Sequence, residues 1–308
     1  MPQPTMPGQL KGSAPGVWFD PTAIGRLCAQ SHGQPGLRVR EAVIKSRIIT
    51  GALLLPMVVA FVLWAPVAGV QGLACVLAGR GLYEFYHMAL PASRKGEGWL
   101  ALVGGALLVW PLAKGAWVWF QGGLLGLLFA LALLVVLRCR PLERSGIDMA
   151  LLGFGFLYIT LPLGYLGLLR ALPHGERWIL LLLLLVMSSD TAAYFTGINF
   201  GRRKLYPIVS PNKSVEGAVG GLLGCLLAAL IAQRTFFPFV SWPSLLILGL
   251  LVGVVAPLGD LFESLLKRCW QVKDSGTLLP GHGGLLDRLD SLLFVFPLVY
   301  YFALIING

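Results

Sequence analysis

The sequence predicts an all-α fold: a polytopic integral membrane helical bundle with about nine transmembrane helices. Three observations carry this expectation. Hydrophobic residues make up 56% and charged residues only 12% of the 308 positions, with a mean hydropathy of +0.78, whereas soluble domains are about 25% charged. Apolar runs of roughly twenty residues recur down the chain, each long enough to cross a hydrocarbon core of about 30 Å as a helix, and nothing alternates like a membrane barrel. The basic residues, finally, crowd onto alternate loops.

Residues 1–37 are rich in Pro, Gly and Gln and hold no apolar core segment, so they do not resemble a signal peptide; residues 1–44 are expected to form a mobile tail. Arg38, Arg40, Lys45 and Arg47 would then hold the N terminus in the cytoplasm. Spans are predicted at 47–64, 67–89, 98–112 (the shortest), 116–137, 147–169, 177–198, 215–233, 243–266 and 286–306. With that topology only Lys114, Arg170, Arg177 and Arg234 of the 24 Lys and Arg residues fall on the far side, and Arg80 lies within the second span. The net charge of +10 is thus mostly a topology signal, and no nucleic-acid partner is expected. The same basic loops face anionic membrane lipids, and the two richest, 199–216 and 265–290, share the cytoplasmic side, where a phosphate-bearing substrate is favoured. The run "GGLLG", at 122–126 and again at 220–224, suits close helix packing. Cys28, Cys75, Cys139, Cys225 and Cys269 include no CxxC pair, so neither a zinc site nor a disulfide frame is suggested.

Chemistry concentrates in two polar blocks. In the eighth span, "VAPLGDLFESLLKR" spaces Asp260, Glu263, Ser264 and Lys267 at i, i+3, i+4 and i+7, which puts all four on one helix face. A carboxylate inside a membrane helix costs about 2.5 to 3.5 kcal/mol and usually faces a cavity, a partner or an ion; the plainer reading is an Asp260–Lys267 pair snorkelling at the interface. Downstream, "KDSGTLLPGHGGLLDRLDS" packs Asp287 and Asp290 around Arg288, and Asp290 could be only a helix cap. Capping leaves "GHGG" unexplained: Gly281, Gly283 and Gly284 free the backbone to approach a ligand and to present amides to an anion. Two carboxylates from different helix ends, among glycines and basic residues, suit a hard cation that holds phosphate oxygens. His282 alone would be weak evidence. In the other block, "SSDTAAYFTGINFGRRKLYP", Asp190 and Tyr194 share a face, and "SPNKSVEG" follows with Lys213, Ser214 and Glu216. A cap at Ser214 or Asn212 accounts for the Ser and Glu, but not for Lys213 or the "GRRK" cluster, which suit nucleotide phosphates.

The run from Ser264 through "KRCWQVKDSGTLLPGHGGLLDRLD" resembles the signature of the phosphatidate cytidylyltransferase (CDP-diacylglycerol synthase) family. "DTAAYFTGINFGRRKLYPIVSPNKSVEG" and "GLYEFYHM" are similar to further blocks of that family, and the likeness covers nearly all of residues 45–308. The resemblance implies that CTP and phosphatidic acid react to CDP-diacylglycerol and pyrophosphate, for phospholipid biosynthesis. It also implies a homodimer in the bacterial cytoplasmic (inner) membrane, with the active site facing the cytoplasm, residues 45–308 as the membrane-embedded domain and its catalytic half at roughly 177–308. It places Mg²⁺ on Asp260 and Asp287 and adds a second, monovalent cation such as K⁺. Catalytic roles are expected for Asp260, Lys267, Arg268, Lys273, Asp274, His282, Asp287 and Arg288, and substrate contacts for Asp190, Tyr194, Lys213, Ser214, Ser264, Gly283, Gly284 and Asp290. A secondary transporter would need interrupted helices paired between two related halves, and no such repeat is evident. A purely structural membrane protein would leave the acids without a purpose. A related CTP-using lipid enzyme, such as a polyprenol kinase, is the nearer rival, and the full "GHGGLLDRLDS" block favours the diacylglycerol phosphate.

Overall fold

A backbone in hydrocarbon must satisfy its own N–H and C=O groups, so each apolar run winds into a helix. The computed structural model describes residues 56–138, 142–276 and 283–307, all within one unit, Ile49–Gly308. After a helical stretch at 56–64 come α1 (Val67–Ala89) and a 3₁₀ turn (Ala92–Arg94) that runs into α2 (Lys95–Ala113). Then follow α3 (Trp117–Leu137), α4 (Leu142–Gly155), a π-helical turn (Phe156–Thr160) and α5 (Leu161–Ala171). Helix α6 (Gly175–Phe200) leads into an antiparallel hairpin of β1 (Lys204–Tyr206) and β2 (Ser210–Ser214), and α7 (Val215–Thr235), α8 (Trp242–Cys269) and α9 (Leu286–Asn307) complete the chain. The all-α expectation therefore stands with one short hairpin added.

Seven segments among the described residues are long and apolar enough to cross a membrane: Ala92–Ala113, Trp117–Leu137, Leu142–Ala171, Gly175–Phe200, Val215–Thr235, Trp242–Cys269 and Leu286–Ile306. The expected count of nine is thus not reproduced. The predicted span at 67–89 is indeed a helix, α1, but it carries Gln71, Arg80 and Glu84 and is not among the seven. Its polar residues turn inward: Gln71 donates to the Ala113 carbonyl at 2.8 Å, and Glu84 is buried. Of the span predicted at 47–64, residues 56–64 are helical. Its beginning, like the N-terminal tail, lies outside the described residues.

Small residues set the helix spacing. Along the α6–α7 seam, Gly220 and Gly224 lie against Thr196 and Ala192, so the second "GGLLG" serves packing, as its sequence suggested. Where α8 meets α9, a Cβ on Gly259 would stand 2.6 Å from the Asp290 carbonyl oxygen, so only glycine lets the two backbones approach this closely. That approach carries Asp260 to the start of α9. Beneath it lies an aromatic cluster: Tyr158, from the π-helical turn, contacts Phe154, Phe262 and Phe294, and Phe85 of α1 contacts Tyr158 and Trp270.

A second buried charge network joins α2 to α4. The Arg94 guanidinium, 1% exposed, pairs with Asp148 and Glu97, each at 3.1 Å, and donates to Ser145 at 2.8 Å and to the Arg138 carbonyl at 3.1 Å. Arg144 meets the other Asp148 oxygen at 3.0 Å. Arg94, which the sequence marks only as a cytoplasmic-side charge, is a cross-brace between two helices.

Candidate active site

Helix α8 delivers its polar face as the i, i+3, i+7 spacing requires, but the ion pairs differ from the simplest expectation. Lys267 does not snorkel with Asp260. Its Nζ lies 2.7 Å from Asp287 Oδ1 and 3.4 Å from Glu263 Oε1, and Asp260 Oδ2 is met by Lys213 Nζ of β2 at 2.6 Å. The reason is distance along the helix axis: seven residues separate Asp260 from Lys267 by about 10 Å, whereas Glu263 is one turn away and α9 packs alongside. Ser264 donates to Asp260 Oδ1 at 3.4 Å. The hairpin that carries Lys213 is pinned at both ends, since Arg268 Nε donates to the Val209 carbonyl at 3.4 Å and Glu216 accepts the amides of Arg202 and Arg203 at 3.0 to 3.2 Å.

The glycines after residue 282 do something other than bind an external anion in this structure. Gly283 holds φ of +80°, a left-handed conformation that suits glycine, and the Gly284 amide donates to Asp287 Oδ2 at 2.8 Å. Asp287 Oδ2 also accepts the Ser275 amide at 3.0 Å. The nest is thus filled by the protein's own carboxylate, which keeps Oδ1 turned toward Lys267. Asp290 is not a cap: it stands past the first turn of α9, facing α8, with its Oδ1 2.6 Å from the Ser291 amide and the charges of Asp260, Asp190 and Lys267 within electrostatic reach. Asp190 is likewise within reach of Asp260 and Lys213. The structure therefore gathers Asp190, Lys213, Asp260, Ser264, Lys267, Asp287 and Asp290 at one place, with Gly283 and Gly284 beside Asp287.

Other expected residues are placed differently. Ser214 is buried and caps α7 by accepting the Gly217 amide at 3.1 Å, which is the plainer of its two readings. Tyr194 is 64% exposed and stacks edge-on with Phe195, one turn beyond Asp190. Arg268, Lys273, Asp274 and Arg288 are exposed around the rim of the cluster. His282 and Gly281 lie outside the described residues.

Three buried groups received no site role from the sequence, although Glu263 was placed on the polar face of α8 and Glu84 lies within "GLYEFYHM". Glu263, 1% exposed, has no hydrogen bond to either oxygen among the described residues, and Lys267 Nζ lies 3.4 Å from its Oε1. The Tyr158 hydroxyl is buried without a hydrogen-bond partner among the described residues and lies in the field of Glu263, Asp290, Asp260 and Asp287. The π-helical turn that presents it leaves no mark on the apolar run "GFGFLYITLPLG". Glu84, 1% exposed, accepts the Leu285 and Leu286 amides at 3.1 and 2.9 Å and the Ser275 hydroxyl at 3.1 Å. Its sequence signal was its place in "GLYEFYHM", four residues after Arg80, which it meets at 3.1 Å.

Five carboxylates, Asp190, Asp260, Glu263, Asp287 and Asp290, thus surround two lysines. The excess of hard oxygen donors fits a hard cation. Among the described residues no three acidic, His or Cys side chains are arranged to hold a metal alone, so such a cation would take one or two carboxylates and complete its shell with substrate oxygens.

Comparison with known proteins agrees with this architecture. A family model described as the Cytidylyltransferase family matches residues 45–306. A phosphatidate cytidylyltransferase of Bacillus subtilis (strain 168) is 39% identical over 208 residues, covering 64% of this chain and 76% of that protein. One from Staphylococcus saprophyticus is 35% identical over 250 residues, 79% of this chain and 94% of that protein, and one from Staphylococcus aureus (strain COL) is 34% identical over 249 residues with the same coverage. With the family model spanning nearly every described residue, this chain belongs to the cytidylyltransferase family.

Proposed function

We propose that the protein transfers the cytidylyl group of CTP to phosphatidic acid, giving CDP-diacylglycerol and pyrophosphate at the cytoplasmic face of a bacterial inner membrane. The observation that carries this reading is the pairing of Asp260 of α8 with Lys213 of the hairpin and of Asp287 of α9 with Lys267 of α8. Carboxylates and ammonium groups so interleaved suit a substrate that arrives as a polyphosphate with its cation.

The lipid phosphate is already anionic at neutral pH, so its oxygen can attack the α-phosphorus of CTP without a strong general base. One P–O bond forms there, the bond to the β-phosphate oxygen breaks, and pyrophosphate leaves. The protein's work is alignment and charge neutralisation. Asp260 and Asp287 would hold Mg²⁺, which neutralises and orients the triphosphate oxygens. Lys213 and Lys267 are placed to pass from the carboxylates to phosphate oxygens, and Arg268, Lys273 and Arg288 stand at the exposed rim, where polyphosphate enters and pyrophosphate departs. The two amide donors on Asp287 Oδ2 fix that carboxylate's orientation before substrate binds. Acyl chains can stay in the bilayer throughout, because the cluster lies near the ends of membrane-spanning helices. Purified protein in detergent, given radiolabelled CTP, phosphatidic acid and Mg²⁺, is expected to form CDP-diacylglycerol with a cation requirement. Turnover of a polyprenol in place of phosphatidic acid would point instead to the kinase reading.

A further inference from the structure

We propose that Glu84 of α1 is a positioning residue for Asp287, acting through Ser275 and the amides that open α9. The inference rests on the reading above, in which Asp287 binds a divalent cation.

Every helix start presents unpaired amide donors. At α9 the Leu285 and Leu286 amides point to Glu84, at 3.1 and 2.9 Å, and Arg80 holds the same carboxylate at 3.1 Å. Glu84 thus supplies from another helix the cap that α9 would otherwise take from its own first turn. The acid available in that turn is Asp287. Without Glu84, Asp287 would be drawn back onto the free amides as an ordinary cap, away from Lys267 and the substrate side.

Ser275 makes the coupling direct. Its hydroxyl donates to Glu84 Oε2 at 3.1 Å and accepts the Asp287 amide at 3.3 Å, while its own amide donates to Asp287 Oδ2 at 3.0 Å. Gly276 and Gly284 let the loop close on Glu84: a Cβ on Gly276 would lie 2.8 Å from Oε1 and one on Gly284 2.5 Å from Oε2. All four partners of Glu84 are donors, so a glutamine, with one acceptor oxygen and an NH₂ group, cannot satisfy them together. A merely structural buried acid would not need to be joined, through one serine, to both the amide and the carboxylate of the same aspartate.

The test uses the full chain in detergent and Mn²⁺ as a spectroscopic probe, with free Mn²⁺ read by electron paramagnetic resonance. Glu84→Gln is expected to weaken Mn²⁺ binding about tenfold, the usual scale for a group that orients a metal ligand, and to raise by a similar factor the Mg²⁺ needed for half-maximal turnover. Its elution profile is expected to stay near that of the parent, with an unfolding temperature lowered modestly by the buried donor left unmet. Ser275→Ala, a smaller change, is expected to shift binding in the same direction and carries the test should Glu84→Gln not fold. Glu84→Gln added to Asp287→Asn is expected to weaken binding no further than Asp287→Asn alone. Unchanged Mn²⁺ affinity in the folded Glu84 and Ser275 variants, or full additivity with Asp287→Asn, overturns the inference while leaving the cation reading in place. Parental affinity in Asp287→Asn overturns both.

Discussion

In the proposed reading Asp260 and Asp287 share one task from different helices, and each has a lysine against one oxygen. Asn keeps their size but not their charge, and a dication held by so few protein ligands depends on that charge. Asp260→Asn and Asp287→Asn are each expected to lower turnover by on the order of 10³ or more across a Mg²⁺ titration, with the folded fraction checked by size exclusion. Near-parental activity in either would remove the shared-cation arrangement. Lys213 and its partner are 26% and 33% exposed, so the pair itself adds little stability. Lys213→Ala is therefore expected to cost less than about 1 kcal/mol in thermal unfolding while reducing turnover at least about tenfold, through lost phosphate contact. At this scale the polar face of α8 was legible, because i, i+3 and i+7 is local information. Glu84 lay in the block "GLYEFYHM", but its role was not legible, since its partners at Ser275 and Leu286 lie 191 and 202 residues away.

Helix pairs convert these residues into a site, and two contacts decide how. At Gly259 the backbones of α8 and α9 meet so closely that an added methyl group would stand 2.6 Å from the Asp290 carbonyl oxygen. Gly259→Ala is expected to cost about 1 to 3 kcal/mol and to lower turnover more than that loss explains, because Asp260 is carried away from α9; parental activity and unfolding temperature would refute the close-approach argument. Far from the site, Asp148 holds Arg94 and Arg144 together. Asp148→Ala leaves the buried Arg94 guanidinium with Glu97 as its carboxylate partner and one donor unmet, and is expected to destabilise by about 1 to 3 kcal/mol, read as a lower unfolding temperature of the detergent-purified protein. Element by element, the long apolar helices were plain from composition, whereas the β1–β2 hairpin was hidden in a stretch that reads as a basic loop. The π-helical turn was equally hidden, since nothing in five apolar and small residues distinguishes it from the α-helix around it.

Across the whole molecule, the Lys and Arg bias is expected to set which face meets the cytosol. Lys273, exposed on the loop between α8 and α9, is expected to react, as Lys273→Cys in a cysteine-free background, with an impermeant maleimide only from the cytoplasmic side. Labelling only from the opposite side would invert the topology and cut the site off from cytosolic CTP. The number of spans was less legible than their existence, because α1 is neither apolar enough to count as lipid-facing nor polar enough to be a loop: it spends Gln71 and Glu84 inward. The aromatic cluster under the carboxylates bears on bioenergetics as well as packing. Chains of acids inside a helical bundle are how proteins conduct protons across membranes, and an enzyme that keeps five of them at one end of its helices must not become such a conductor. Phe154, Phe262 and Phe294, packed around Tyr158, are rings without a charge, and beyond them α9 continues with buried Val295, Phe296, Val299 and Ala303. The same rings that hold α4, α8 and α9 together are thus expected to act as an insulator, so that phosphate chemistry at the edge of a membrane does not become a leak for protons.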